Sequence, residues 1–161
     1  MSARLFWARV ATVTALAVSL RFALSPPQPP VRVAPALALA LGAAAGAVLF
    51  GAVAGRSPSF AGARAPRLLA RQLFLGLCAA NEEIVWRRTL LGELLPAGSV
   101  LALLVSSAGF AVAHRRLRLL HAGTGLVFGV LYLATGVLVA SIAAHWIYNA
   151  FVGSLLQRAP P

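Results

Sequence analysis

The chain has 161 residues, of which 60% are hydrophobic and only 11% are charged, and its mean hydropathy is +0.87. This composition excludes an ordinary soluble domain and predicts a membrane protein. The net charge of +11 comes from arginines that gather in short runs between apolar segments, which is typical of membrane orientation and excludes a nucleic-acid-binding surface.

Apolar segments long enough to cross a bilayer as a helix, about 20 residues, recur along the sequence. The first is followed by a rigid proline-rich run at 26–30, so we interpret it as an anchor helix and not as a cleaved signal peptide. The predicted helices are Leu5–Leu24, Val33–Ala54, Gln72–Leu95, Gly98–His114, Leu119–Ala134 and Val137–Leu156. The predicted fold is therefore all-α, a polytopic membrane bundle of about six transmembrane helices.

The second predicted helix carries no charge and contains two pairs of glycines at i, i+4 spacing. The pairs are Gly42 with Gly46 and Gly51 with Gly55. Because small residues at this spacing let helix backbones approach closely, we predict that both pairs pack against a neighbouring helix.

The segment from Arg56 to Arg71 contains two prolines and four arginines and predicts a polar loop or an interfacial segment. It divides the chain into N-terminal membrane helices with a basic loop (1–71), a catalytic core of four helices (72–156) and a short tail (157–161).

The arginines also predict the orientation in the membrane. If the N-terminus is inside, ten arginines fall on the inner side, and only Arg21 and Arg32 fall on the outer side. The positive-inside rule then predicts a multi-pass protein whose N- and C-termini are both cytoplasmic.

Polar residues form three clusters within the predicted core, where a charge at bilayer depth costs roughly 2.5 to 3.5 kcal/mol. The clusters are N-E-E-I-V-W-R at 81–87, F-A-V-A-H at 110–114 and H-W-I-Y-N at 145–149. On a helix Glu83 and Arg87 share one face, whereas Glu82 points about 100° away and is the freer carboxylate. The three clusters lie on three different helices and together supply an acid, two histidines and an amide. Their joint occurrence favours a functional site over simple packing.

The third predicted helix must continue past Trp86 if these clusters are to meet. A helix ending there would place Glu82 near the outer surface and His114 near the inner surface. Extension to Leu95 brings the glutamates near mid-membrane, within reach of His114, although it also places Arg87 inside the bilayer.

The ordered motifs E-E-x-x-x-R, F-x-x-x-H and H-x-x-x-N resemble those of the CPBP family of intramembrane proteases, which includes CAAX prenyl proteases, bacteriocin-processing proteins and lysostaphin-resistance-like proteins. The resemblance covers roughly Gln72 to Leu156. It implies an intramembrane endopeptidase that acts on a peptide or a lipidated protein, surrounded by membrane lipids. It identifies neither the substrate nor the oligomeric state.

The candidate catalytic residues are Glu82, Glu83, Arg87, His114, His145 and Asn149. We expect Glu82 to act with His114 as the general base that activates a water molecule. His145 and Asn149 would donate hydrogen bonds to the tetrahedral oxyanion, where one donor can be worth roughly 3 to 4 kcal/mol. Glu83 with Arg87 would fix the helix and position Glu82.

A glutamate with two histidines is also a common zinc-binding set, so zinc remains an alternative for the cofactor. The H-E-x-x-H motif of many zinc proteases is absent, and we favour metal-independent chemistry. We interpret Cys78 as a small apolar residue, place His121 in a cytoplasmic loop or interface, and place Glu93 near the outer membrane boundary.

Two other functions compete with proteolysis. The first is a non-catalytic scaffold or bacteriocin-immunity protein that retains the fold. The second is a small proton-coupled transporter, since carboxylates and histidines also relay protons. A transporter predicts repeated halves with broken helices, and the sequence shows no such repeat.

Overall fold

Long helices account for most of the chain. The computed structural model describes residues 3–55, 57–58, 65–114 and 116–156, and within these ranges it contains no strand. The long helices are α1 (Ala3–Ala23), α2 (Pro35–Ala54), α3 (Ala65–Glu83), α4 (Ser99–Ala113), α5 (Arg118–Thr135) and α6 (Leu138–Leu156). Over the described residues the prediction of an all-α fold is confirmed, and each long helix overlaps one predicted segment.

The chain remains helical after α3. It continues through a π-helical segment (Ile84–Leu91), a short α-helical turn (Gly92–Leu94) and a 3-10 turn (Leu95–Ala97). The prediction that this helix extends to Leu95 is therefore confirmed. The π geometry was not predicted. π-helices are rare and occur frequently at functional sites, and here the Thr89 hydroxyl donates to the Ile84 carbonyl five residues earlier, at 2.9 Å.

The segment predicted as a polar loop or an interfacial segment is helical in its second half, so the loop alternative is wrong there. Residues 65–71 form the first turns of α3 instead of a loop. Arg56 and residues 59–64 lie outside the described residues, as does the predicted tail at 157–161. Apolar residues follow from Leu68 onward, so the helix of the core simply begins earlier than the arginines suggest.

The first glycine pair of α2 packs against the backbone of α6, as predicted. A Cβ atom at Gly42 would collide with the Ala140 carbonyl, and one at Gly46 would collide with the Ala144 carbonyl. Ala144 precedes His145, so this contact between helices fixes the depth of α6 at the histidine.

The second glycine pair has a different role, and its predicted packing is wrong. Gly51 faces open space. Gly55 ends α2 in the left-handed conformation, with φ at +60°, and its N–H bonds to the Gly51 carbonyl. Glycine adopts this conformation without the strain that a Cβ atom would cause, so Gly55 is a helix cap.

The proline-rich linker between α1 and α2 crosses one end of the bundle. The Arg32 amide donates to the Thr135 carbonyl at 2.9 Å, and the Tyr132 hydroxyl donates to the side-chain carbonyl of Gln28. Gly136 has φ at +69° and lies against the Pro30 carbonyl, where a Cβ atom would not fit. The linker thus ties α1 to the turn between α5 and α6.

The protein is an integral membrane protein. By length and composition, three helices of the described residues can cross a membrane: Pro35–Ala54, Arg118–Thr135 and Leu138–Leu155. α1 and α4 contain shorter apolar stretches, at Val10–Ala23 and Ser99–Ala113. Large apolar side chains are exposed on the outside, among them Phe22 and Leu119, which suits a surface in contact with lipid.

Candidate functional site

The turn between the third and fourth helices brings Glu82 and His114 together. Gly98, the residue before α4, lies midway along the sequence between them. A helical hairpin that turns there returns His114 to the depth of Glu82. Glu82 Oε2 lies 3.8 Å from His114 Nε2, and both side chains are 29% exposed.

His145 of α6 approaches the same carboxylate oxygen. Its Nε2 atom lies 3.9 Å from Glu82 Oε2, although its side chain is only 5% exposed. Three of the predicted site residues, Glu82, His114 and His145, therefore converge as expected. Both distances are too long for a direct hydrogen bond, which is the usual sign of a polar contact that a water molecule can bridge.

The contacts of the two Nδ1 atoms define the tautomers of His114 and His145. His114 Nδ1 lies 2.8 Å from the Phe110 carbonyl, and His145 Nδ1 lies 2.9 Å from Glu83 Oε1. Because a carbonyl or carboxylate oxygen only accepts, Nδ1 carries the proton in each ring. In the neutral rings both Nε2 lone pairs then face Glu82, so these acceptors need a donor between them.

Glu83 connects the helix that carries it to α6. Its Oε1 atom accepts from His145 Nδ1, and its Oε2 atom lies 3.2 Å from Arg87 Nε in an ion pair with no exposed side-chain surface. The Arg87 guanidinium also donates to the Gly125 carbonyl of α5 at 3.0 Å. The predicted pairing of Glu83 with Arg87 is present. The bond to His145 was not predicted.

Two phenylalanine rings enclose the charged groups. Phe110 lies 4.7 Å from the Arg87 guanidinium carbon, at cation–π distance, and its ring meets His145 edge-on. Phe128 stacks on the His145 ring at 4.8 Å between centroids. These rings hold the Arg87 and His145 side chains away from lipid and limit their rotamers.

His121 belongs to this cluster, although the sequence analysis placed it outside. Its ring stacks on His114 with 3.9 Å between centroids and an interplanar angle of 22°. It also meets the edge of Phe110. The turn between α4 and α5 separates the two histidines, so no helical spacing relates them in sequence. Only the similar distance of each from that turn signals their contact.

The remaining candidates form no contact with Glu82 comparable to those of the two histidines. Asn149 is half-buried on α6, one turn beyond His145. Cys78 is half-buried one turn before Glu82. Glu93 is exposed in the short turn after the π segment. No group of three or more His, Cys, Asp or Glu side chains in the described ranges is placed to hold a metal ion.

One comparison with known proteins gives a match. A family model described as Rce1-like, type II CAAX prenyl endopeptidase, matches residues 64–151, which is more than half of the chain. The matched region contains Glu82, Glu83, Arg87, His114, His121 and His145. No curated protein and no solved structure matches the chain.

Proposed function

The chain belongs to the Rce1-like family of type II CAAX prenyl endopeptidases, and from this premise we propose that it hydrolyses a peptide bond within the membrane, using a water molecule activated by Glu82 and His114. The observation that carries the proposal is the approach of two histidine Nε2 atoms to one carboxylate oxygen, at 3.8 and 3.9 Å.

The water would lie between these groups. A molecule at hydrogen-bonding distance from these atoms would donate its two protons to Glu82 Oε2 and His114 Nε2, and would accept from His145 Nε2 when that ring is protonated on both nitrogens. Glu82 removes a proton as the water oxygen attacks the carbonyl carbon. The same proton can then pass to the leaving amine when the C–N bond breaks, so that Glu82 acts first as base and then as acid.

His145 would stabilise the oxyanion. To donate from Nε2, its ring must be protonated on both nitrogens, and Glu83 is placed to stabilise that imidazolium through the bond to Nδ1. Glu83 would thus orient the His145 ring, as a carboxylate orients the catalytic histidine in other enzymes. Asn149, one turn further along α6, would add a second donor when substrate is bound.

Arg87 would act on the structure and not on the substrate. It is fully buried, pairs with Glu83 and binds the α5 backbone, so it holds two helices in register beneath the reacting groups. We accordingly propose residues 72–156, with their four helices, as the catalytic core. The arginine distribution supports cytoplasmic N- and C-termini.

We propose a prenylated protein C-terminus as the substrate, since the family is described by that activity. The test uses the purified protein in lipid vesicles with a peptide that ends in Cys-aliphatic-aliphatic-X and carries a farnesyl group on the cysteine. Products are identified by mass spectrometry. We expect cleavage of the farnesylated peptide and slower cleavage of the same peptide without the lipid. Failure to cleave either peptide faster than empty vesicles contradicts the proposal.

A further inference from the structure

A cavity of about 300 Å³ opens beside the candidate catalytic residues. Glu82 and His114 lie on its wall, together with Val85 and Trp86 of the π segment. Its remaining side is formed by α1, through Val13 and Leu16. Apart from Glu82 and His114, these side chains are uncharged and mostly apolar.

A second, smaller cavity of about 150 Å³ also involves α1. It lies against the other side of Glu82 and is lined by Val10 and Val13 of α1 with Cys78 and Asn81 of α3. Val13 therefore borders both spaces next to the carboxylate. Since α1 lies outside the region that matches the family model, this wall is a contribution of the chain's own N-terminal helix.

Specific contacts hold α1 in this position. The Asn81 amide donates to the Thr14 hydroxyl at 2.7 Å, and Asn81, which is buried, is the residue directly before Glu82. The rings of Trp7 and Phe74 meet edge-on with 5.9 Å between centroids. The hydrogen bond fixes the register of α1 against α3, so that Val13 and Leu16 face the cavity.

We propose that Val13 and Leu16 are specificity-determining residues, which select a branched aliphatic group of the substrate close to the scissile bond. The inference rests on the proposed function and concerns which substrates the site accepts. The aliphatic group has two possible sources in a prenylated peptide, an aliphatic side chain or the isoprenoid chain. The walls suit both, because burial of apolar surface is not directional.

The first experiment fills the cavity. Val13→Phe and Leu16→Phe are compared with Val18→Phe, because Val18 lies on the same helix with a similar exposed fraction but does not line either cavity. Substrates differ in one group at a time: leucine or alanine at the aliphatic positions, and a farnesyl or a shorter geranyl chain. We expect the two cavity variants to raise KM about tenfold for the bulkier member of one pair, the scale expected for a few buried methylenes. The smaller member should be nearly unaffected.

The pair that responds identifies the group held by the cavity. A response confined to the leucine–alanine pair assigns the cavity to a side chain, and a response confined to the lipid pair assigns it to the isoprenoid. If Val13→Phe and Leu16→Phe have the same KM and kcat as Val18→Phe for every substrate, the inference is overturned while the proposed function stands.

A second experiment measures binding without cleavage. A photoreactive phenylalanine analogue replaces Val13 or, as the control, Val18, each in a Glu82→Gln background, and the farnesylated peptide is the probe. We expect cross-links from position 13 that an excess of unlabelled peptide prevents, and none from position 18. Equal labelling at both positions overturns the inference. Cross-linking at position 13 by a protein whose wild type cleaves nothing overturns the proposed function alone.

Discussion

At the residue scale, the two adjacent glutamates have different environments, and this difference assigns their roles. Glu83 is fully buried, is hydrogen-bonded to His145 through Oε1 and forms an ion pair with Arg87 through Oε2. Glu82 is partly exposed and lies on two cavities. We therefore propose Glu82, and not Glu83, as the group that accepts a proton from a water molecule.

Arg87→Ala should reduce stability and activity together. It leaves the fully buried Glu83 without its guanidinium partner, with only the hydrogen bond to His145, and removal of one member of a buried ion pair typically costs about 3 to 5 kcal/mol. Arg88→Ala is the matched control: Arg88 is only partly buried, and its guanidinium donates a long hydrogen bond of 3.5 Å to the Leu24 carbonyl, while its backbone bond to Gln28 survives the substitution. We expect Arg88→Ala to lower the free energy of unfolding by about 0.5 kcal/mol or less. The free energy of unfolding in detergent is measured for both variants. Equal losses of stability would contradict the role given to Arg87.

His121 should position His114. In His121→Ala the His114 ring loses its stacking partner and gains freedom, and we expect kcat to fall about tenfold with KM unchanged, since small misplacements of catalytic groups are costly. His121→Phe keeps an aromatic ring in the stack and should restore most of the rate. Both variants should remain folded.

The control for that experiment is the comparison of the two variants with each other. If His121→Phe is as slow as His121→Ala, the imidazole itself takes part in the reaction, and His121 is more than a stacking partner. If neither variant changes kcat, the contact with His114 has no functional role.

Removal of metal should leave the activity intact. The proposed mechanism activates the water molecule with the Glu82 carboxylate as general base and uses no metal ion. We therefore expect cleavage of the farnesylated peptide to continue after incubation with a strong chelator. Loss of activity that zinc restores would replace the general-base mechanism with a metal-dependent one.

At the scale of the helices, glycines determine where two helix backbones can lie in direct contact. Gly42 and Gly46 let α2 lie directly on the α6 backbone next to His145. The sequence predicted this contact because i, i+4 glycines mark helix interfaces. It did not separate this pair from Gly51 and Gly55, which have the same spacing, since only the location of the partner helix tells them apart.

Gly42→Ala should destabilise the protein, since its Cβ atom would collide with the Ala140 carbonyl, and overpacking costs typically about 1 to 3 kcal/mol. Gly51→Ala is the matched control on the same helix, because a Cβ atom there would have no neighbouring atom within 4 Å. Alanine favours a helix over glycine, so we expect no loss of stability in the control. The midpoint of thermal unfolding of the two variants in detergent provides the measurement, and a similar decrease in both would contradict this packing.

The π segment shows where helix prediction from sequence ends. The depth argument predicted a continuous helix to Leu95, and the chain is helical to that residue. Arg87, Thr89 and Leu91 of the π segment are buried. The sequence argument used only helix length and depth, so it did not predict the π geometry.

At the scale of the whole molecule, the sequence predicted the helices and the convergence of Glu82, His114 and His145 for one physical reason. Charged and polar side chains are so costly in an apolar bundle that these three stand out as candidates for a functional site. The contacts that the sequence did not predict are those without a spacing rule: the Glu83–His145 bond, the stacking of His121, and the cavity wall formed by α1. Each joins residues that no helical repeat relates, and packing alone determines it.

The central claim is that Glu82 is the proton acceptor in peptide hydrolysis. Glu82→Gln keeps the volume of the side chain and its hydrogen-bonding capacity but removes the base. The rate of cleavage of the farnesylated peptide, measured in vesicles that contain equal amounts of folded wild-type and variant protein, tests the claim directly. We predict a decrease of about a hundredfold or more with unchanged thermal stability. A variant that cleaves as fast as the wild type would contradict the claim.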